Sequence, residues 1–264
     1  MSSATKSDEV TYRLDDHVAT ITINRRSARN ALSLNVTTLL VEAFSRAQLD
    51  DDVWIIVLTA DGPEAFCAGG DLKEFNEMAA RGEPIPQPMT GPQRNLYETV
   101  LETYKPTLAV LNGSAIAGGC ELALACDLRI AADHAKIGMP EAKRGMGANF
   151  ASVLLPRIVP RPIALEMLYT GRLLEADEAL RWGLFNRTAP YAELEQAAGE
   201  FVGTLAANAP LSLRRYKEMA TKGWELPVHA ALRLNAGPNP YASEDRVEGI
   251  RAWVEKREPQ WSAR

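Results

Sequence analysis

Two short glycine-bearing segments carry the first hint of chemistry, Phe66-Cys67-Ala68-Gly69-Gly70-Asp71-Leu72 and Ala115-Ile116-Ala117-Gly118-Gly119-Cys120-Glu121-Leu122. Small side chains let a ligand approach the main chain, and amides at the start of a helix point outward with a partial positive charge. Two such corners could supply two N–H donors to one developing oxyanion. A donor of that kind contributes about 3–4 kcal/mol to the transition state. The same glycines could equally serve tight turns or close helix–strand packing, and either segment alone leaves both readings open. The chain has neither GxGxxG nor GxxxxGK[ST], which argues against a phosphate-binding loop. Cys67 lies beside the first corner, but no histidine is near it in sequence, and packing as a small residue is the better reading than nucleophilic catalysis.

The elements around these corners follow from hydrophobic spacing. Val10 to Asn24 reads as a hairpin turning near Asp15-Asp16. Leu39, Leu40, Ala43, Phe44 and Ala47 fall at helical spacing and predict a helix over 34–49. Val53 to Thr59 (VWIIVLT) is a β-branched run suited to a strand covered on both faces. The alternation then returns as a strand over 107–111, a helix over 118–125 and a strand over 128–131. Together these predict an α/β layer of βαβ character. Each glycine corner follows a predicted strand and opens a predicted helix. Between the two units, 81–91 holds Pro84, Pro86 and Pro88 with two glycines, and reads as a mobile loop. Beyond Pro162 the β-branched runs stop, and 175–182, 192–207, 211–222 and 245–256 read as amphipathic helices, interrupted by a turn over 235–241.

Composition narrows the class. The chain has 264 residues, 46% hydrophobic and 24% charged, which suits a soluble globular protein able to bury a core without disulfide or metal. A net charge of −5 gives no basic excess for nucleic acid, although a local patch could still hold one phosphorylated cofactor. Cys67, Cys120 and Cys126 are odd in number and lack zinc-type spacing, so reduced thiols in a cytoplasmic protein are expected. The polar stretch from Met1 to Val10 has no targeting pattern, and no apolar run is long enough to cross a bilayer.

Lys105 to Glu141 (KPTLAVLNGSAIAGGCELALACDLRIAADHAKIGMPE) closely resembles the signature of the enoyl-CoA hydratase/isomerase (crotonase) family. The resemblance runs from about Val10 to Trp261 and includes FCAGGDLKE, EALRWGLFNR and EDRVEGIRAWVEKR. It implies an α/β spiral of ββα units over 1–195 with a helical trimerisation region over 196–264, and homotrimers that can pair into hexamers. It also implies an acyl-CoA substrate, with coenzyme A as part of the thioester and no separate cofactor. By the same resemblance, the amides of Gly70 and Gly118 bind the thioester carbonyl. Glu121 serves mainly the water and Glu141 mainly the α-carbon proton, acting as a coupled pair. Backbone around Arg29, Asn30, Ala31 and Leu32, with Ala68 and Lys73, is implied to lie along the coenzyme A. Trp253 and Lys256 are implied to reach the cofactor of a neighbouring subunit.

One segment departs from the family pattern. After Glu141, hydratases usually continue G-x-x-P-G-x-G-G-T, whereas this chain reads Gly145-Met146-Gly147-Ala148-Asn149-Phe150-Ala151-Ser152, one residue shorter. Asn149 and Phe150 are therefore placed to reshape the acyl end of the pocket. Hydration or dehydration of an enoyl-CoA is the expected reaction, because both glutamates are present. Double-bond isomerisation, a ring- or branch-specific hydratase, and a non-catalytic or RNA-binding relative on the same fold are the alternatives.

Overall fold

The computed structural model describes residues 9–85 and 94–264. The chain opens with the expected hairpin, β1 (Val10–Asp15) paired antiparallel with β2 (Val18–Ile23). Alternate residues of β2, namely Ala19, Ile21 and Ile23, are fully buried. The helix α1 (Leu34–Leu49) covers this region, burying Val36, Leu40, Ala43, Phe44 and Ala47. Its bounds match the sequence expectation because the apolar stripe is unbroken and Ser33 caps it, accepting from the Val36 amide.

From here each turn of the chain places one strand in each of two sheets. β3 (Ile55–Ala60) is followed by β4 (Ala65–Cys67), then α2 (Leu72–Ala80) and α3 (Leu96–Glu102). β5 (Thr107–Leu111) and β6 (Ser114–Ile116) lead into α4 (Gly118–Ala125), and β7 (Leu128–Ala132) and β8 (Lys136–Gly138) complete the next turn. There follow α5 (Asn149–Ile158), α6 (Arg161–Thr170), β9 (Leu173–Glu175), α7 (Ala176–Arg181) and β10 (Arg187–Ala189). The larger sheet has the order β1-β2-β3-β5-β7-β10 and the smaller β4-β6-β8-β9. Apart from the antiparallel end pairs β1–β2 and β8–β9, all neighbours run parallel. The result is a spiral of ββα turns, the fold class implied by the family resemblance, rather than one plain βαβ layer.

The chain ends in α8 (Leu194–Ala206), α9 (Pro210–Gly223), α10 (Val228–Ala231) and α11 (Glu244–Glu255). α8 packs on the larger sheet, so the expected division at 195/196 falls inside a helix that touches the core. The part beyond Pro162 is not purely helical, as β9 and β10 lie within it. Each is only three residues long, too short for a β-branched run to reveal, and each exists by pairing with β8 or β7. α3 also went unread in the sequence, although Asn95 and Glu98 form a capping box at its start. Of the expected loop over 81–91, Arg81 and Gly82 form a turn, while Pro86, Pro88 and Gly91 lie outside the described residues.

α4 is the centre of the molecule, with Gly119 to Ala125 all buried. A helix enclosed on every side must satisfy its terminal carbonyls internally. Arg129, 6% exposed, does this for α4 by donating to Ala123 O (3.2 Å) and Cys126 O (2.7 Å), and its Nε ties the same end to Leu184 O (2.6 Å) beyond α7. Each such carbonyl left unpaired would cost about 1–3 kcal/mol. Lys105 treats the end of α1 similarly, donating to the carbonyls of Ala47 and Asp50. Among the described residues no helix is long and apolar enough to cross a membrane.

Candidate active site

β4 and β6 are parallel neighbours in the smaller sheet, so the two glycine corners leave side by side from the same end of it. In α/β folds that end of the strands is where ligands bind. At the first corner Gly69 takes φ +89°, a conformation that favours glycine. Leu32 N donates to Gly69 O (2.8 Å), and Asp71 N donates to Leu32 O (3.0 Å). In a parallel bridge of this kind the residue between, Gly70, turns its own N–H away from Leu32. Asp71 then caps α2, accepting from the Lys73 and Glu74 amides. Burial pushes the Asp71 carboxyl up, but these amides and Arg25 outweigh it and hold the group below its ordinary value. Arg25 donates to Ala31 O (2.8 Å) and Asp71 Oδ2 (3.0 Å), clamping the 29–32 segment to the corner.

The second corner turns on Ala117, held at φ +57°, ψ −127°. A non-glycine residue in such a region costs on the order of 1–3 kcal/mol and persists only when its surroundings fix it. Here Ala117 N donates to Gly138 O (2.9 Å), and Ala117 O accepts from Glu121 N (3.0 Å). The turn starts α4 without any side-chain cap. Among the described residues neither the Gly70 nor the Gly118 amide donates to a protein acceptor. The corners also touch: a Cβ on Gly69 would lie 3.1 Å from Gly118 N. The packing alternative holds for Gly119, where a Cβ would come within 2.1 Å of Cys67 O.

Both glutamates are buried, Glu121 at 5% exposure and Glu141 at 8%. Glu121 lies in the first turn of α4, and its Oε1 accepts from Ala151 N (2.9 Å) at the start of α5. α5 has Ala148 at its cap, with no side-chain acceptor of its own, so the carboxylate of one helix satisfies an amide of another. Burial pushes Glu121 up to about 7 against the opposing Ala151 hydrogen bond, and the Glu141 charge adds to the rise. Glu141 opens a short 3-10 turn after Pro140, and burial raises it too. Its Oε2 is buried and has no partner among the described residues. Cys67 is fully buried with its thiol pushed up to about 12 by burial, so it is not a nucleophile. Beside Glu141 a cavity of about 340 Å³ is bordered by Met139, Met146, Ala148, Leu165 and Leu168.

Residues implied to lie along coenzyme A divide into two groups. Arg29, Asn30, Ala31, Leu32 and Ala68 gather at the first corner, where Ala68 N donates to Arg29 O (3.1 Å). Asn30, 1% exposed, fixes the segment by donating to Asp61 O and Ala65 O. Lys73 is exposed one turn away on α2. Trp253 stands on the exposed face of α11 at 81% exposure, and the exposed Lys256 caps the C-terminus of that helix. Sequence reasoning missed Arg25, Ala117 and Tyr97. The Asp71-to-Glu74 spacing signals the cap, but nothing local signals the strained Ala117.

A profile of the enoyl-CoA hydratase/isomerase family matches residues 13–264. The chain belongs to that family and is an enzyme of it. It is 36% identical to (E)-benzylidenesuccinyl-CoA hydratase of Thauera aromatica, over 95% of this chain and 97% of the relative. It is 38% identical to carnitinyl-CoA dehydratase of Salmonella heidelberg, over 92% and 94% of the two chains. Among solved structures, the enoyl-CoA hydratase from Bacillus anthracis superposes with a TM-score of 0.87 at 31% identity, covering 97% of this chain and 100% of that one.

Proposed function

We propose that the protein adds water across the α,β-double bond of an acyl-CoA thioester, or removes it to form that bond. The observation that carries this is the pair of buried glutamates beside two unpaired amides. The Gly70 and Gly118 N–H groups receive the thioester oxygen. Ionised Glu121 takes a proton from water as the water oxygen bonds to the β-carbon, and the electron pair moves through the α-carbon onto the thioester oxygen. Protonated Glu141 then delivers its proton to the α-carbon as the enolate collapses. Dehydration runs the same steps in reverse. Both named relatives above are a hydratase and a dehydratase of CoA thioesters, which supports this choice within the family.

Coenzyme A is taken up as part of the substrate along Arg29 to Leu32, Ala68 and Lys73, with Trp253 and Lys256 serving a neighbouring subunit. A homotrimer, alone or paired into a hexamer, accounts for the large apolar residues exposed on the C-terminal helices, among them Tyr216, Leu232, Ile250, Trp253 and Val254. Light scattering should give a mass of three or six chains; a monomer at working concentration would reject the assembly. The reaction itself is tested by incubating the protein with a panel of enoyl-CoA thioesters and weighing the products. Hydration gains the mass of one water. A shifted double bond at unchanged mass would make it an isomerase instead.

A further inference from the structure

Tyr97 has no part in the scheme above, yet it stands inside the site. It lies in the first turn of α3, whose start is fixed by the Asn95–Glu98 capping box, and α3 packs on α4. A Cβ built on Gly118 would come within 2.6 Å of the Tyr97 Oη, so the hydroxyl directly faces the second glycine corner. Its ring packs against Phe150, centroids 5.5 Å apart, and Phe150 precedes the Ala151 that holds Glu121. The phenol is therefore wedged between the corner and the glutamates. Burial, followed by the charges of Glu121, Cys67 and Glu141, raises it well above its ordinary value, so it remains a donor at any working pH. Tyr97 is half-buried, and its hydroxyl makes no hydrogen bond among the described residues. Glu121 follows Gly118 in the first turn of α4, the helix on which α3 packs, and in the proposed reaction Glu121 works at the β-carbon.

We propose that Tyr97 is a specificity-determining residue whose hydroxyl donates a hydrogen bond to an oxygen on the β-carbon of the acyl group, selecting β-oxygenated acyl thioesters over plain ones. This rests on the acyl-CoA reading of the site. The thioester oxygen already has two amide donors, whereas an oxygen at the β-carbon otherwise meets only carboxylates. A donor that the bound acyl group covers disfavours a ligand with nothing to accept from it.

The test uses two thioesters that cannot be hydrated, 3-oxobutyryl-CoA and butyryl-CoA, titrated calorimetrically into the full-length protein and its Tyr97→Phe variant. The wild type should bind the 3-oxo compound about tenfold more tightly, and Tyr97→Phe should erase that preference while shifting butyryl-CoA affinity by less than about twofold. A preference that survives in the variant, or is missing from the wild type, overturns the proposal. The wild-type comparison stands by itself should the variant fail to fold. If neither thioester binds the wild type, the acyl-CoA reading itself fails; if both bind without preference, only the role of Tyr97 does.

Discussion

Glutamine at position 121 should leave the chain folded and able to take up a thioester, while cutting hydration about 100- to 10,000-fold. The amide oxygen of glutamine can still accept from Ala151 N, so the start of α5 keeps its cap, and only the proton-accepting capacity is lost. Glu141→Gln should produce a loss of similar size. The pH dependence separates the pair further. Burial pushes Glu121 up to about 7, and as a base it works ionised while Glu141 works protonated, so hydration should pass through a maximum and fall on both sides of it. In Glu141→Gln the proton donor is gone, so the residual activity should rise with pH through the titration of Glu121 and no longer fall on the alkaline side. Stability should move the other way. A carboxyl raised from 4.5 to about 7 binds its proton more tightly in the folded state, so its contribution is present below 4.5 and is lost as pH climbs through 7. Glu121→Gln should accordingly resist urea better than wild type above pH 7. Near-wild-type turnover in either variant would remove that glutamate from the mechanism.

Proline at position 118 should nearly abolish activity on every acyl-CoA substrate, because it deletes the N–H assigned to the thioester oxygen. Position 118 is the first residue of α4, where proline is tolerated by a helix, but an added Cβ would collide with the Tyr97 hydroxyl. Both effects are controlled in a Tyr97→Phe background. There Gly118→Ala adds the Cβ and keeps the N–H, whereas Gly118→Pro adds the same Cβ and closes its ring on the nitrogen, removing the N–H. Losing one donor should make the proline variant slower than the alanine variant by about 100- to 1,000-fold, once circular dichroism shows both to be folded. If the proline variant kept more than a tenth of the alanine variant's rate, the donor would be worth under about 1.4 kcal/mol. Gly118 would then be a packing residue like Gly119.

Legibility in the sequence followed the length and regularity of each element. α1, β5 and α4 were readable to the residue, since each is an unbroken apolar pattern ended by a cap or a glycine corner. β9 and β10 were not, because three residues carry no period and their pairing partners lie far along the chain. The two corners could be singled out by their glycines, but not which glycine does what. Spacing alone did not divide them; the family resemblance singled out Gly70 and Gly118, while the fold shows that Gly69 answers to its backbone angle and Gly119 to the carbonyl of Cys67. Tyr97 was hidden for a different reason. Its placement depends on how α3 packs on α4, which no local pattern encodes.

The adjacency of β4 and β6 works as a ruler. Parallel strands are spaced by their own main-chain hydrogen bonds, about 4.8 Å apart, and no side chain sets that interval. An oxygen held about 2.9 Å from each of two amides needs them no more than about 5.8 Å apart, which one strand spacing satisfies. On the proposed reading, the gauge for a thioester carbonyl is written in backbone, whereas Tyr97, Phe150 and the residues around Glu141 are written in side chains. Mutation can then re-cut the acyl end of the pocket while the proposed grip on the carbonyl keeps its width.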